Sequence, residues 1–323
     1  MRKLEYLSPT SIAVFKKSVQ DFYLRYLSEN RPSREPQTQP MSIGSAFDAY
    51  AKSYIHESLF GKGNDPRFDF PTLFEAQVEK HHRDWALING KYAFQVYRDS
   101  GVLADLMIEL NQAVGTPRFE IEVRGVVNGH REGVTKSFSG VTFLGKPDCS
   151  FNNAGGNNVT LDWKVNGYCS RSPVSPMPGY MRIRGQDYCG PHKDCIPYMH
   201  NGMIINRDQF LEQLKEDWAT QLAIYGWLCG NEIGSDFIVA IDQLACKPRQ
   251  PYPVIRIAEH RLRISEAFQW NTFAIAQHIW DVVQSDHVFR DMTVEQSKDR
   301  CSVLDLQSAS MGDDDFAKMC RGW

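Results

Sequence analysis

The sequence predicts one α/β domain, a mixed central sheet flanked by helices. Three observations carry this. Val159-Thr-Leu-Asp162-Trp-Lys164-Val165 alternates with period two, placing Val159, Leu161, Trp163 and Val165 on one face and Thr160, Asp162 and Lys164 on the other. The preceding Asn152-Asn-Ala-Gly-Gly-Asn-Asn158 run supplies positive φ cheaply and predicts an antiparallel hairpin. Downstream, 208–229 has the spacing of a helix stopped by Gly230, and two apolar runs at 237–241 and 254–258 read as closing strands.

Composition bounds the rest. The chain has 323 residues, 42% of them hydrophobic and 12% aromatic, enough for a substantial core in one large domain or two small ones. There is no apolar run long enough to span a membrane, and the first residues lack the apolar stretch of a secretory signal. The eight cysteines show no disulfide-framework spacing, so a reducing, cytoplasmic setting is expected. The net charge of −3 excludes a global basic footprint, and any nucleic-acid contact must use a local basic surface.

The elements follow in order. Ser8-Pro-Thr-Ser11 caps a helix whose apolar positions include Ile12, Phe15, Val19, Phe22, Tyr23 and Tyr26. Residues 41–50 start a second helix with small residues for close packing, 61–72 read as a loop, and 74–111 as a long helical stretch. His81 and His82 lie within that stretch, where adjacent positions point about 100° apart and do not readily share a metal. Residues 119–124 alternate as a strand with Glu120 and Glu122 on one face. A strand over 141–151 carries Asp148, with a bulge or sheet edge expected at Pro147.

From 166 to 206 the chain is rich in Pro and Gly and reads as an irregular insertion. Arg171, Arg182, Arg184, Lys193 and Arg207 interleave there with Tyr168, Tyr180, Tyr188 and Tyr198, a pattern that suits a flap over a nucleic-acid strand. Cys189, His192, Cys195 and His200 have zinc-ligand chemistry but no standard zinc spacing. A last amphipathic helix runs over 265–284. The domain is read as 1–290 and the tail as 291–323.

The chemistry is expected at the hairpin. Closing it brings Asp148 near Asp162, with Lys164 beside them, a group suited to Mg²⁺ and phosphodiester chemistry. Asp162-Trp-Lys164 is the one Asp/Glu-x-Lys in the chain, although the same three residues also describe a strand with a surface ion pair.

Pro147-Asp148 followed by Asp162-x-Lys164 resembles the PD-(D/E)XK nuclease superfamily, and Gln221-x-x-x-Tyr225 resembles its RecB-like branch, which includes relatives of phage exonucleases. The resemblance spans about residues 8 to 265 and implies a restriction-endonuclease-like fold. It also implies a metal-dependent deoxyribonuclease, an exonuclease first, using Mg²⁺ or Mn²⁺ in recombination, repair or phage DNA processing. Asp148 and Asp162 would hold the metal, Lys164 would orient water, and Gln221 and Tyr225 would position the phosphate. The branch has a glycine followed four residues later by a metal-binding histidine; after Gly44 that place is taken by Asp48. It also has a metal-binding glutamate on an earlier strand, which Glu120 or Glu122 can supply. A recombination or annealing protein is an implied partner. The oligomeric state is left open, and the alternative is a DNA-binding protein that keeps the fold without turnover.

Overall fold

A computed structural model of the chain describes residues 2–30, 36–130, 137–177, 182–184, 197–200, 203–206 and 209–285. In chain order the helices are α1 (Pro9–Lys17), α2 (Val19–Phe22), α3 (Gln39–Phe60), α4 (Phe70–Gln77), α5 (Arg83–Asp99), α6 (Val102–Asn111), α7 (Leu211–Leu214), α8 (Glu216–Leu228) and α9 (Glu266–Gln284). The strands are β1 (Arg118–Phe119), β2 (Val123–His130), β3 (Ser137–Gly145), β4 (Cys149–Asn152), β5 (Asn158–Asn166), β6 (Arg182–Arg184), β7 (Pro197–His200), β8 (Met203–Asn206), β9 (Ile238–Lys247) and β10 (Val254–Arg263). The chain divides into two compact units, one of residues 1–35, 124–145 and 270–323, the other of 36–123 and 146–269.

In the first unit, Ser8 and Ser11 cap α1 reciprocally, each side chain accepting the other's backbone N–H. The helix expected to continue to Tyr26 is interrupted at Ser18, whose hydroxyl accepts the Asp21 N–H and restarts the chain as α2. A π-helical turn, Tyr23–Leu27, follows. β2 and β3 form a two-stranded sheet, and Leu7 makes a parallel bridge to Phe143, which packs edge-on against Phe273 of α9.

The second unit is a mixed sheet of order β1-β4-β5-β9-β10-β6. β4 and β5 pair antiparallel, with Cys149 opposite Leu161 and Asn152 opposite Asn158. The turn between them is closed by Asn153, whose side-chain oxygen accepts the Asn157 N–H, and by Gly156 at φ 81°. β5 runs parallel to β9, with Asp162 opposite Ile241 and Lys164 opposite Gln243. β9 turns back antiparallel into β10. The restriction-endonuclease-like expectation of a mixed sheet between helices agrees with this α/β architecture.

Alternation sorts the two faces. Val159, Leu161 and Trp163 join Phe47, Ala51 and Ile55 of α3, Ala93 and Phe94 of α5, and Leu103 and Leu106 of α6. On the opposite face, Val239 and Ile241 of β9 meet Trp218, Ala219, Leu222 and Ala223 of α8. β9 is buried throughout except at its last residue, as expected of a strand covered on both faces. A Cβ at Gly90 of α5 would lie 2.6 Å from the Ala46 Cβ, so the missing side chain sets how closely α5 approaches α3.

Several boundaries differ from expectation. The long helix read over 74–111 is three: α4 starts earlier, at Phe70, a 3-10 turn at Lys80–His82 separates it from α5, and Gly101 at φ 87° divides α5 from α6. His82 is engaged locally, its Nε2 lying 2.8 Å from the Gln37 carbonyl oxygen. The strand read over 141–151 ends at Gly145 and resumes at Cys149, because Pro147 has no N–H for a ladder. The strand read over 119–124 is also cut: Glu120 adopts φ 51°, and the ladder stops at Phe119. The helix over 208–229 is split at Lys215 into α7 and α8. Among the described residues of the insertion at 166–206 there are three short strands, of which β6 joins the main sheet beside β10.

Candidate metal centre

Several chain segments converge at the open end of the β4–β5 hairpin. The register puts Asp148 just before Cys149 and Asp162 just after Leu161, so the two face one another across the hairpin. The Trp163 backbone N–H donates to Asp148 Oδ2 at 3.1 Å, tying the first carboxylate to the strand that carries the second. On β5, Asp162 Oδ2 lies 2.5 Å from Lys164 Nζ. Gln221 of α8 bridges them, accepting from Lys164 at 2.9 Å and donating to Asp162 Oδ1 at 3.2 Å. Tyr225, one helical turn on, hydrogen-bonds with Gln221.

The second half of the site hangs from α3. Asp48 Oδ2 accepts from Gln77 of α4 at 2.9 Å and from Lys52, one turn along α3, at 2.7 Å. The Lys52 ammonium also donates to Asp148 Oδ1 at 2.9 Å and to Glu120 Oε1. Lys146 takes the other Glu120 oxygen. Asp48, Glu120 and Asp148 thus offer three carboxylate oxygens within 4.8 Å of one another, a group that can hold a metal ion. Glu122 is exposed on the far side of the break at Glu120 and is not part of this cluster. The positive φ of Glu120 destroys the shared face that alternation had given the two glutamates.

Burial and charge set the protonation balance. Burial, with Asp148 and Glu120 adding to it, raises the Asp48 carboxyl to about 7 despite Lys52 beside it. Burial likewise raises Asp162 to about 6, with Lys164 opposing the rise and Asp148 assisting it. For Asp148, burial pushes upward but is outweighed by the Lys52 ammonium and the Trp163 N–H, so its carboxyl stays below the usual range. Burial opposes the charge of Lys52 and Lys164, yet the surrounding carboxylates hold both above the ordinary lysine value.

An open cavity of about 330 Å³ gives solvent access to this end of the sheet. Asp48, Asp148, Asp162 and Lys164 line it together with Gln77, Gly44 and Ser45, and Glu120 and Lys52 are not among the lining residues. A hard divalent cation fits the carboxylates that line the cavity, Asp48, Asp148 and Asp162, the chemistry preferred by Mg²⁺, Ca²⁺ and Mn²⁺, and Asp48 Oδ1 is buried without a hydrogen-bond partner.

A further layer supports the strand. The Trp163 indole N–H donates to the Tyr97 hydroxyl at 3.2 Å, and that hydroxyl donates to the buried Asp242 at 2.5 Å. Arg261, also buried, donates to the other Asp242 oxygen at 2.9 Å. Sequence reading missed Lys52, Gln77 and this network. Only Asp48-x-x-x-Lys52, an acid and a lysine one helical turn apart, left a local trace.

Much of the predicted flap lies outside the described residues: Tyr180, Tyr188, Lys193 and Arg207, with the side chains of Arg182, Arg184 and Tyr198. Arg171 is exposed. Tyr168 is engaged, its hydroxyl 3.0 Å from Asn89 Oδ1 and its ring edge-on to Trp85. Cys189, His192, Cys195 and the His200 side chain, weighed as zinc ligands, also lie outside, as does the tail at 291–323. No helix among the described residues is long and apolar enough to cross a membrane.

Comparison with the known protein families gives no match, and no curated protein matches either. Among solved structures the chain is similar to one described as "Crystal structure of SSO0001", at 14% identity over 84% of this chain and 85% of that one. The TM-score is 0.26, a likeness too slight to bear on function.

Proposed function

We propose that the protein is a Mg²⁺-dependent nuclease hydrolysing DNA phosphodiester bonds. The observation that carries the reading is the facing pair Asp148 and Asp162 on one hairpin, with Lys164 two residues along the same strand and all three lining one cavity. Asp148 and Asp162 would hold the ion, with Asp48 beside them on the cavity wall. When bound, Mg²⁺ would polarise the phosphate and make a water molecule more acidic.

The chain's own residues do the rest. Lys164 directs an ammonium into the cavity, where it can orient the attacking water and stabilise negative charge growing on the phosphate. Gln221 holds both Lys164 and Asp162 in place, and Tyr225 holds Gln221. The PD-(D/E)XK resemblance supplies DNA as the substrate and favours an exonuclease in recombination, repair or phage DNA processing. A recombination or annealing protein is a partner on the same footing. The test is cleavage of linear, circular and single-stranded DNA with Mg²⁺ or Mn²⁺. Linear duplex should be degraded from its ends and closed circles spared. Asp162→Ala cleaving like the parent would sink the assignment.

One observation favours a second reading, DNA binding without turnover: an ammonium already fills the acidic triad. Measurable DNA and Mn²⁺ binding with no cleavage of any substrate would select it.

A further inference from the structure

We propose that Lys52 is a built-in cation that takes the place of a second metal ion, so that the centre accepts a single divalent ion on the Asp148–Asp162 side. This rests on the metal-dependent reading above and specifies its stoichiometry.

The geometry carries the inference. Lys52 Nζ is seated among the three carboxylates that form the metal-capable triad, 2.7 Å from Asp48 and 2.9 Å from Asp148 and in direct contact with Glu120. A divalent ion sharing those oxygens would sit about 2.0–2.6 Å from each, in the volume that Nζ fills. The ion and the ammonium therefore exclude one another.

The ammonium is also the better seated of the two. Its side chain is 1% exposed. Its helix neighbours Ala51 and Ile55 belong to the apolar core, which offers a charged group no acceptor. Glu120 is engaged by Lys146 as well, so both its oxygens already meet a positive charge. An ion arriving through the cavity meets Asp48, Asp148 and Asp162, which line it, whereas Glu120 is not among the lining residues.

Charge balance agrees. Four carboxylates, Asp48, Glu120, Asp148 and Asp162, are met by three ammonium groups, Lys52, Lys146 and Lys164. With all of these groups ionised the net charge is −1; one divalent ion takes it to +1, whereas a second would take it to +3. Lys52 does not line the cavity and does not reach a substrate there. It acts through the carboxylates as a positioning residue.

The experiment is Mn²⁺ titration of the full chain, counting bound ions by calorimetry and by the loss of the free-ion paramagnetic resonance signal. The parent is expected to bind one Mn²⁺. Lys52→Met, and independently Lys52→Gln, should bind two, because the vacated triad becomes a second site. Two ions on the parent, or one on a folded Lys52 variant, overturns the proposal while leaving the nuclease reading intact. No bound ion on the parent overturns both. If neither variant folds in the absence of metal, Mn²⁺ should restore folding by filling the triad, and failure of that rescue also overturns the proposal.

Discussion

The Trp163 backbone N–H donates to Asp148 Oδ2, so Asp148 is bonded to the strand segment between Asp162 and Lys164. Asp148→Asn keeps a side-chain oxygen for this bond and removes the charge. Metal binding should be lost while the fold persists, which Mn²⁺ titration alongside circular dichroism would check. Retained Mn²⁺ affinity would remove Asp148 from the centre.

Lys164→Ala removes the cavity's ammonium and leaves both carboxylates of the acidic pair in place. Cleavage should fall on the order of 10²–10³-fold, the usual cost of one charge-stabilising donor, with Mn²⁺ binding retained. Single-turnover kinetics at saturating metal measures this directly, and an unchanged rate would assign Lys164 a purely structural role.

Gln221→Ala removes the bridge between Lys164 and Asp162. A loss of about 10–100-fold in metal affinity or activity is expected, as for other residues that orient ligands. Restoration by Gln221→Glu is not expected, since a carboxylate cannot donate to Asp162.

The pH dependence follows from Asp48 and Asp162, raised to about 7 and about 6 from an ordinary value of 3.8. Between those limits the folded, metal-free protein binds protons more tightly than the unfolded chain. The stability this contributes is complete below about pH 4 and is lost as pH rises through about 6 to 7. Asp148 has the opposite sign, and its lowered carboxyl acts below that window. Added Mg²⁺ competes with the same protons, so its stabilising effect should grow from pH 5 to pH 8. As pH falls below these values, affinity should weaken about tenfold per pH unit for each proton displaced. Thermal melts with and without Mg²⁺ across this range measure both.

Tyr97→Phe leaves the Trp163 indole N–H without its acceptor and Asp242 without one of its donors. Unfolding free energy should fall by about 1–3 kcal/mol in urea titration, with metal stoichiometry unchanged.

The sequence made the hairpin half of this centre readable. Asp148, Asp162 and Lys164 lie close in the chain, and the period-two pattern with its Asn/Gly turn is local information. Gln221 was placed by helical spacing and resemblance together. Lys52 was invisible for the opposite reason: its partners Glu120 and Asp148 are 68 and 96 residues away, and a lysine on a helix ordinarily points to solvent. The choice between Glu120 and Glu122 turned on one backbone dihedral, which alternation assumes rather than predicts. The divisions within 74–111 rest on Gly101 and a short 3-10 turn, whose effect the apolar periodicity of the surrounding helices concealed.

The β4–β5 turn lies at the opposite end of its hairpin from the carboxylates, with the four residues Cys149–Asn152 between. At about 3.3 Å per residue that separation is about 13 Å. Ala154 and Gly155 at its tip are exposed. A fluorophore, affinity tag or short linker placed between them has a route to solvent that bypasses the cavity, which makes this turn the place from which to watch or immobilise the protein with its chemistry undisturbed.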